Sequence, residues 1–361
     1  MEKTVLQSIN IKHELEAIKP WINREMERII PRQITEDWMK LTLGPAAYKY
    51  DIQTLQEEFA VPVWDFLDRG GKRWRPALML WSCGSVQGKI EDALMFTPLP
   101  ELIHTGTLIA DDVEDKSEVR RGKPAIHVLY GLDTAVNNSG ALYFLPQVLL
   151  YRNMGHLSAE KRLALFEVIG EEMFRASMGQ AMDIHWHNHK RYDLTEEHYL
   201  QMCAYKTGVL ARMSAKIGVI LGNGSLEQIN VLGKFAESIG VGFQIQDDIL
   251  NLFPASQEWG KAVGDDITEG KRTILVLRAL QLAPAKEKEE LIQILKSHTR
   301  NEFEIIRAIE IIKKTGAVEY SLKRAEDIVI ESWRNVENQL AESVFKQKLK
   351  ALAEFVVQRK V

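Results

Sequence analysis

Cysteine is scarce in this chain of 361 residues, which contains only Cys83 and Cys203. Two cysteines cannot build a framework of disulfide bonds, so a reducing compartment is the simpler expectation. The N-terminal segment also lacks the apolar core of a secretory signal and the arginine-rich, acid-poor composition of a transit peptide. We therefore expect a cytoplasmic protein.

An excess of basic residues is absent as well. The 46 Lys and Arg residues are balanced by 50 Asp and Glu residues, which gives a formal net charge of −4. Because proteins that bind nucleic acids electrostatically usually carry a strong positive charge, this balance argues against a nucleic-acid partner. The longest uncharged run, residues 134–151, includes asparagine, serine, proline and glutamine. This run is too polar for a membrane span and predicts a buried helix.

Proline and glycine are also few, with 11 and 23 residues, and the alternating pattern typical of strands is scarce. Long amphipathic stretches with helical spacing lie between them. Ser158 and Thr195 precede acidic residues as helix N-caps do, whereas Thr315-Gly316 and Gly222-Asn223-Gly224 predict breaks between helices. No repeat or linker divides the chain. We predict one domain over residues 1–361, with roughly residues 1–50 as an N-terminal helical extension.

The segment LIHTGTLIADDVEDKSEVRRGKP contains an unusual acidic cluster, with Asp111, Asp112 and Asp115 at positions i, i+1 and i+4. On a helix, Asp111 and Asp115 share one face and Asp112 lies beside them. Like charges at this spacing repel one another unless a cation neutralises them, and carboxylate oxygens suit Mg²⁺. The alternative is a solvated acidic helix end, which this motif alone leaves open.

A second cluster favours the metal-binding interpretation. FQIQDDILNLF places Asp247, Asp248 and Asn251 at the same spacing, far from the first cluster in the chain. Two such clusters facing each other would bind several Mg²⁺ ions and hold a diphosphate. Basic residues near the acidic motifs would provide further phosphate contacts, although any one of them could be ordinary surface charge. They are the cations of GGKRWRP, Arg120, Arg121, Lys206, Lys261 and Lys271.

Seven motifs then occur in a characteristic order: GGKRWRP, DDVED, RRGKP, GQAMDI, YKTGVL, FQIQDDILN and GKAVGDDITEGKRT. On these motifs the chain resembles the trans-type isoprenyl diphosphate synthases of the polyprenyl synthetase family, over roughly residues 60 to 280. The resemblance implies a single all-α domain, an antiparallel helical bundle around a deep central cavity, which assembles as a homodimer. Among these enzymes the chain looks most like the geranylgeranyl diphosphate synthases.

The resemblance implies a magnesium-dependent prenyltransferase, with three ions bound in the presence of substrate. An allylic diphosphate would lose its diphosphate, isopentenyl diphosphate would attack the resulting cation, and a proton would leave to the released diphosphate. Geranylgeranyl diphosphate is the favoured product. Alternatives are a farnesyl or longer-chain synthase, a related terpene cyclase, a non-catalytic partner subunit and a ligand-free helical scaffold. The joint presence of Lys72, Arg75, His104 and Arg121 favours condensation over cyclisation.

The resemblance also assigns site residues. The metal ligands would be Asp111, Asp112, Asp115, Asp247, Asp248 and Asn251, where Asn251 replaces the aspartate of many family members by a neutral oxygen ligand. Substrate diphosphates would contact Lys72, Arg75, His104, Arg120, Arg121, Lys206 and Lys261, and the position of Lys271 adds it to this set. Thr207, Gln244 and the carbonyl group of Lys206 would face the developing cation. Gln180 and Asp183 would lie near the metal or its waters.

Product length in such enzymes depends on the depth of a tunnel beneath the first acidic motif. The small residues Gly106 and Thr107 precede Asp111 and indicate a deep tunnel, for which Tyr143 and Phe144 are candidate floor residues. Ordinary core packing remains the alternative for these aromatics. Three histidines of the segment DIHWHNHK, His185, His187 and His189, could also suggest zinc, but we favour surface or interface histidines because the segment contains no complete ligand set.

Overall fold

The computed structural model describes residues 9–189, 191–254 and 263–357. These residues form twenty α-helices, numbered in chain order: α1 (Ile11–Ile29), α2 (Glu36–Leu43), α3 (Ile52–Leu55), α4 (Val61–Asp68), α5 (Trp74–Ser85), α6 (Ile90–Leu94), α7 (Pro98–Glu114), α8 (Ile126–Tyr130), α9 (Leu132–Phe144), α10 (Val148–Tyr151), α11 (Ala159–Asn188), α12 (Glu196–Cys203), α13 (Val209–Leu221), α14 (Leu226–Leu252), α15 (Asp265–Thr268), α16 (Ile274–Leu282), α17 (Ala285–Ser297), α18 (Glu302–Lys314), α19 (Ala317–Glu337) and α20 (Val344–Val357). A two-residue antiparallel pair, β1 (Val119–Arg120) with β2 (Lys123–Pro124), is the only sheet among them.

Helix ends follow the predicted local signals. The hydroxyl of Ser158 accepts a hydrogen bond from the Lys161 amide at the start of α11, and Thr195 forms a capping box at the start of α12. Gly222-Asn223-Gly224 lies between α13 and α14, and Thr315-Gly316 lies between α18 and α19. These four predictions are therefore confirmed.

The uncharged run 134–151 is not the single buried helix that its composition predicts. Helix α9 ends at Phe144, a 3₁₀ turn covers Leu145–Gln147, and α10 begins at Val148. Pro146 lies within the turn, where it provides no amide proton for a helical hydrogen bond. The interruption is therefore a local consequence of the proline.

The centre of the bundle is apolar and all-helical. Helix α13 packs against α5, α11 and α14, while α14 also packs against α19 and α7 packs against α9. Three clusters of buried hydrophobic side chains fill the spaces between these helices. The predicted all-α class is thus confirmed. No helix in the described part of the chain is long and apolar enough to cross a membrane.

The N-terminal helix α1 packs on the bundle with one apolar face. Ile11 and Leu15 join the hydrophobic cluster around α5, α14 and α20, whereas Met26 and Ile29 join the cluster around α7 and α13. Spacing of buried residues by three and four positions is typical of an amphipathic surface helix. The division into a domain and an N-terminal extension remains a prediction.

A π-helical segment, Ala204–Gly208, separates α12 from α13 and carries Lys206 and Thr207. Such segments occur often at functional sites because one extra residue changes the direction of neighbouring groups. Gly179 of α11 allows this backbone to approach closely, since a Cβ atom there would lie 2.4 Å from the amide nitrogen of Lys206. The glycine of the GQAMDI motif therefore has a packing role next to the site.

Candidate active site

A cavity of about 990 Å³ lies between α5, α7, α11 and α14, and Asp111 and Asp247 both line it. The predicted site residues that line the same cavity are Lys72, Arg75, His104, Thr107, Asp111, Arg120, Arg121, Tyr143, Gln180, Asp183, Lys206, Thr207, Gln244, Asp247, Asp248, Asn251 and Lys271. Lys261 lies outside the described residues. Residues from both halves of the sequence therefore line the same cavity.

Asp111 lies in the last turn of α7 and is held by cations. The Lys206 ammonium nitrogen is 3.0 Å from its Oδ1 atom, and an Arg120 guanidinium nitrogen is 3.3 Å from Oδ2. The Gln180 amide also donates to Oδ1 at 3.1 Å. Burial alone would raise the pKa of Asp111, but the charges of Lys206, Lys271 and Arg120 lower it well below its usual range. Asp111 is therefore ionised at neutral pH.

The other two aspartates of this motif are not among the cavity-lining residues. Asp112 is 1% exposed and accepts a hydrogen bond of 2.7 Å from Arg120 Nε. Asp115 is the residue after α7 and accepts a hydrogen bond of 2.9 Å from Lys271. The Asp115 amide donates to the Asp111 carbonyl oxygen at 2.8 Å, so Asp115 lies one helical turn after Asp111, as the spacing predicts.

Glu114 lines the cavity and accepts a hydrogen bond of 2.7 Å from Gln180, although the sequence interpretation did not select it. The signal was present, since Glu114 lies three residues after Asp111 and so shares its helical face. Burial raises the pKa of this carboxyl group, and the neighbouring charge of Asp111 adds to the rise. Glu114 thus adds a further acidic group to this part of the cavity.

The second acidic motif is built into a chain of hydrogen bonds. The Thr207 hydroxyl donates to Gln244 Oε1 at 2.7 Å, and Gln244 Nε2 donates to Asp248 Oδ1 at 2.8 Å. The buried hydroxyl of Tyr199 donates to Asp248 Oδ2 at 2.6 Å. Burial and the neighbouring carboxylate of Asp266 raise the pKa of Asp248 to about 8. Sequence interpretation missed Tyr199, which precedes the YKTGVL motif on α12.

Asn251 has a local structural role. Its side-chain oxygen accepts a hydrogen bond of 3.1 Å from the amide of Asp266, and its carbonyl oxygen accepts one of 2.9 Å from the amide of Gly264. These bonds fix the start of α15 against α14. The neutral side chain at this position thus has a hydrogen-bonding partner in the protein itself.

A basic region forms another part of the cavity wall. Lys72, Arg75, His104 and Arg121 line it, together with Arg73, the other cation of GGKRWRP. Burial lowers the pKa of Arg75 to about 10, so the guanidinium group stays charged at neutral pH. Burial and the surrounding arginines lower the pKa of His104 well below its usual value, so its imidazole is neutral. The region is suited to bind an anion.

Two further residues, Glu101 and Arg69, hold the segments that carry these cations. Arg73 pairs with the buried carboxylate of Glu101 at 2.6 Å. Arg69 donates to the carbonyl oxygens of Arg120, at 3.3 Å, and Pro124, at 2.9 Å, and so holds the β1–β2 hairpin. Because these contacts link distant segments, spacing in the sequence did not reveal them.

Lysine side chains connect acidic groups around the cavity. Lys206 joins Asp111 to Asp183, with a distance of 2.5 Å to the latter, and Lys271 joins Asp115 to Glu269 at 2.5 Å. Within residues 9–189, 191–254 and 263–357, no three His, Cys, Asp or Glu side chains are grouped closely enough to hold a metal ion. In this arrangement Asp111, Asp183, Asp115 and Glu269 are paired with the protein's own cations.

The three histidines of DIHWHNHK have different environments. The rings of His185 and His189 stack with centroids 4.2 Å apart on an exposed surface. His187 is 8% exposed, and burial lowers its pKa. The expectation of surface or interface histidines is therefore corrected for His187, which belongs to the interior.

The predicted tunnel residues divide into two groups. Thr107 and Tyr143 line the main cavity, whereas Gly106 lies where α7 crosses α9. A Cβ atom at Gly106 would be 2.9 Å from the Ser139 carbonyl oxygen and 2.9 Å from a ring carbon of Tyr143. Gly106 therefore makes room for the Tyr143 ring instead of forming the tunnel wall.

A second cavity of about 370 Å³ lies next to the first, between α9 and α11. Tyr143, Met173 and Ser177 line both cavities and form the wall between them. Phe144 lines only the second cavity and is 70% exposed, which corrects its predicted place at the floor of the main one. Tyr143 thus remains the candidate floor residue.

Solved prenyl synthases share this helical fold. The structure of geranylgeranyl pyrophosphate synthetase from Pyrococcus horikoshii matches 97% of this chain and 98% of its own, with a TM-score of 0.82 and 28% sequence identity.

Sequence comparison agrees with the structural similarity. The family model of polyprenyl synthetase matches residues 56–312. The short chain isoprenyl diphosphate synthase of Methanothermobacter thermautotrophicus is 38% identical over 290 residues, which cover 80% of this chain and 87% of the relative. The geranylgeranyl diphosphate synthase of Sulfolobus acidocaldarius is 33% identical over 296 residues, covering 81% and 88%. The chain belongs to the polyprenyl synthetase family, which confirms the resemblance inferred from its motifs.

Proposed function

We propose that this enzyme condenses isopentenyl diphosphate with an allylic diphosphate to form a longer prenyl diphosphate, with geranylgeranyl diphosphate as the main product. The observation that carries the proposal is the placement of Asp111, Asp247 and the basic region around Arg75 on one cavity that continues into an apolar space. An acidic region and a basic region on one cavity suit a reaction with two diphosphate substrates. Family membership supports the same reaction.

The donor atoms around the cavity fit magnesium. Mg²⁺ prefers oxygen ligands and usually binds proteins through one or two carboxylates together with substrate phosphates. Asp111 and Asp247 offer such carboxylates from opposite helices, and the crowding of Asp248 with Asp266 marks a region where a cation would be favourable. We infer that Asp111 and Asp247 hold the metal. When bound, Mg²⁺ would neutralise the leaving diphosphate and so favour its departure.

The remaining predicted ligands stay predictions, as does the number of three ions. Asp112 is paired with Arg120, Asp115 is paired with Lys271, and Asn251 bonds to the backbone of Asp266. We propose that Arg120 and Lys271 exchange these partners for the allylic diphosphate when substrate and metal enter. The exchange conserves local charge neutrality because an anion and a cation enter together.

The basic region would bind the second substrate. Lys72, Arg75 and Arg121 carry positive charge next to the neutral imidazole of His104. Arginine gives planar, two-point contacts to phosphate oxygens, whereas lysine acts as a point charge. Isopentenyl diphosphate held there would keep its double bond towards the middle of the cavity. Condensation requires this second diphosphate site, whereas cyclisation does not.

The hydrogen-bonded pair Thr207 and Gln244 lies between the two regions. Oxygen atoms of these side chains, and the carbonyl group of Lys206 in the π-helical segment, would provide partial negative charge for the allylic cation. The apolar lining, which includes Leu210 and Phe243, would exclude water that could capture the cation. We propose that no dedicated protein base is needed, since the released diphosphate accepts the proton.

A product assay tests the proposed reaction. The purified protein is incubated with Mg²⁺, isopentenyl diphosphate and farnesyl diphosphate, and the products are identified by mass spectrometry. An elongated prenyl diphosphate supports the proposal. A hydrocarbon would instead indicate a cyclase, and no turnover would indicate a partner subunit or scaffold; either result contradicts the proposal.

Replacing Tyr143 by alanine is expected to lengthen the product. The side chain forms part of the wall between the 990 Å³ and 370 Å³ cavities, so its removal would join them and allow a longer tail. Mass spectrometry of the products should show a shift by one or more isoprene units. Tyr143→Phe keeps the ring and should keep the product. An unchanged distribution for Tyr143→Ala would contradict this position of the floor.

We also propose that the enzyme is a homodimer through α9 and α11. Leu132, Val136 and Phe144 are exposed on α9 at spacings of four and eight residues, and Phe174 and Met178 are exposed on α11. A stripe of this kind is unfavourable in water and typical of a protein–protein interface. In a two-fold dimer, the stripe of one chain would pack against the same stripe of the second chain, so both would be buried.

A Phe174→Glu variant is expected to be monomeric, because it places two like charges at the proposed interface. Light scattering should give twice the mass of one chain for the unmodified protein and the mass of one chain for the variant. Phe303→Glu is the matched control, since Phe303 is 84% exposed on α18, which packs against α15, α16, α17 and α19. A monomeric unmodified protein would contradict the dimer.

A further inference from the structure

We propose that Tyr199 is a positioning residue for the condensation, which acts through Asp248 to fix the side-chain amide of Gln244 and, with it, the hydroxyl of Thr207. The inference rests on the proposed function and deepens it. Tyr199 lies on α12, outside the seven motifs that identify the family resemblance. Its role follows from four side chains that form one continuous line of hydrogen bonds.

All four side chains are among the residues that line the cavity, and the line runs from its most buried member, Tyr199, to Thr207. Tyr199 is 1% exposed and Asp248 is 4% exposed, so the 2.6 Å hydrogen bond between them is shielded from water. Gln244 Nε2 donates to the other oxygen of Asp248 at 2.8 Å, and Gln244 Oε1 accepts from the Thr207 hydroxyl at 2.7 Å. Each side chain in the line is therefore hydrogen-bonded to the next one.

Amide orientation is the property that this line controls. The two ends of a glutamine amide have nearly the same shape, and the hydrogen-bond partners alone decide which end faces which way. In the structure Gln244 Nε2 donates to Asp248, which turns the NH₂ group of Gln244 towards Asp248 and leaves the oxygen for Thr207 and the cavity. A reversed amide would present NH₂ to the site, where it would repel a carbocation.

Tyr199 fixes the Asp248 carboxylate in the orientation that Gln244 uses. Without the phenol hydroxyl, Asp248 Oδ2 would be a buried acceptor that has lost its donor, and the carboxylate would turn towards another one. Rotation of Asp248 would break the bond to Gln244 Nε2. The phenol hydroxyl therefore influences Gln244 without touching it.

This placement gives Asp248 a task that differs from metal binding. Both of its oxygen atoms accept hydrogen bonds from protein donors, while Asp247, the preceding residue, also lines the cavity. We therefore separate the two aspartates: Asp247 is the proposed metal ligand, and Asp248 transmits the position of Tyr199 to Gln244. The separation can be measured, because loss of a ligand weakens metal binding and loss of a positioning group does not.

The test uses Tyr199→Phe, which removes one oxygen atom and keeps the ring that fills the interior. The kcat for condensation is expected to fall about 10- to 100-fold, the range observed when a group behind a reacting residue is removed. The KM for isopentenyl diphosphate should stay within about 3-fold, because the basic region does not include Tyr199. Mg²⁺ affinity in the presence of inorganic diphosphate, measured by calorimetry, should not change, whereas Asp247→Asn should weaken it.

A double-mutant cycle examines the route through Asp248. If Tyr199 acts through Asp248, Tyr199→Phe should have little further effect on kcat in an Asp248→Asn background. Independent, multiplicative losses would overturn the inference. Wild-type kcat in Tyr199→Phe would overturn it as well, and so would a loss of Mg²⁺ affinity equal to that of Asp247→Asn.

Tyr320→Phe is the matched control for helix stability. The Tyr320 hydroxyl donates to Glu196 at 2.5 Å, so this variant also removes a phenol hydrogen bond to α12 but leaves Asp248 untouched. Its kcat should equal that of the wild type. An equal loss in both variants would assign the effect to α12 stability and overturn the inference.

The wild-type enzyme is assayed in parallel, so that failure of the proposed function and failure of this inference can be distinguished. If the wild type yields no elongated product, the proposed function fails. An active wild type with an equally active Tyr199→Phe variant contradicts only the role of Tyr199.

Discussion

Replacing Asp111 by asparagine is expected to lower kcat for condensation about 10³-fold, the largest effect of any single substitution considered. Asp111 is the member of the first acidic motif that lines the cavity, and it is ionised because Lys206, Lys271 and Arg120 lower its pKa. Asparagine keeps the shape and removes the negative charge, so the proposed metal would bind weakly and the diphosphate would leave slowly. Steady-state kinetics at saturating Mg²⁺ measure the loss.

Glu114→Gln provides the comparison for this variant. Glu114 lies in the same cavity on the same helix, and the substitution removes one negative charge without a large change in shape. Gln180 Nε2 donates to Glu114 at 2.7 Å and to Asp111 at 3.1 Å, so Glu114 is linked to the proposed metal ligand through that amide. We expect less than about a tenfold loss, as for groups behind a ligand. Equal losses in the two variants would show that total charge in the cavity matters, and not the position of Asp111.

Replacing Lys206 by methionine is expected to change both activity and stability. The ammonium group bridges Asp111 and Asp183, at 3.0 Å and 2.5 Å, and Asp183 is 5% exposed. Removing one member of a buried ion pair leaves an uncompensated charge, which typically costs about 3–5 kcal/mol of unfolding free energy. We also expect kcat to fall about 10²- to 10³-fold, since a cation next to the leaving diphosphate is lost.

Magnesium should restore part of the lost stability, because a divalent cation can neutralise the same two carboxylates. Thermal denaturation with and without Mg²⁺ measures this recovery. Lys216→Met is the control: Lys216 is similarly buried and pairs with the buried Glu172 at 2.8 Å, outside the cavity. That variant should lose stability without any recovery by Mg²⁺, and it should keep its activity. Equal recovery in both variants would contradict the assignment of Lys206 to the metal-binding region.

Much of the fold follows from local sequence. Capping residues such as Ser158 and Thr195 predict helix starts because their side chains bond to amides only a few positions away. The spacing of Asp247, Asp248 and Asn251 predicts a shared helical surface, and all three line the cavity on α14. Such predictions succeed because the interactions that decide them lie within a single turn of helix.

Predictions failed where the packing of one element on another decides the geometry. Asp115 follows Asp111 by one helical turn, as its spacing predicts, but its carboxylate pairs with Lys271 of a distant segment and is not among the residues that line the cavity. Gly106 seemed to be a tunnel residue from its distance to Asp111, but α9 packs directly against it. The element that packs on a helix is not contained in residue spacing.

The sequence by itself determined the family, the helical class, the two acidic motifs and seventeen of the residues that line the cavity, because periodicity and motif order are properties of the chain. Only the tertiary structure decided which partners these residues have. Lys271 meets Asp115 across 156 positions, and Tyr199 meets Asp248 across 49. Contacts over such distances depend on how whole helices pack, since burial of their apolar faces fixes which polar groups are left facing one another.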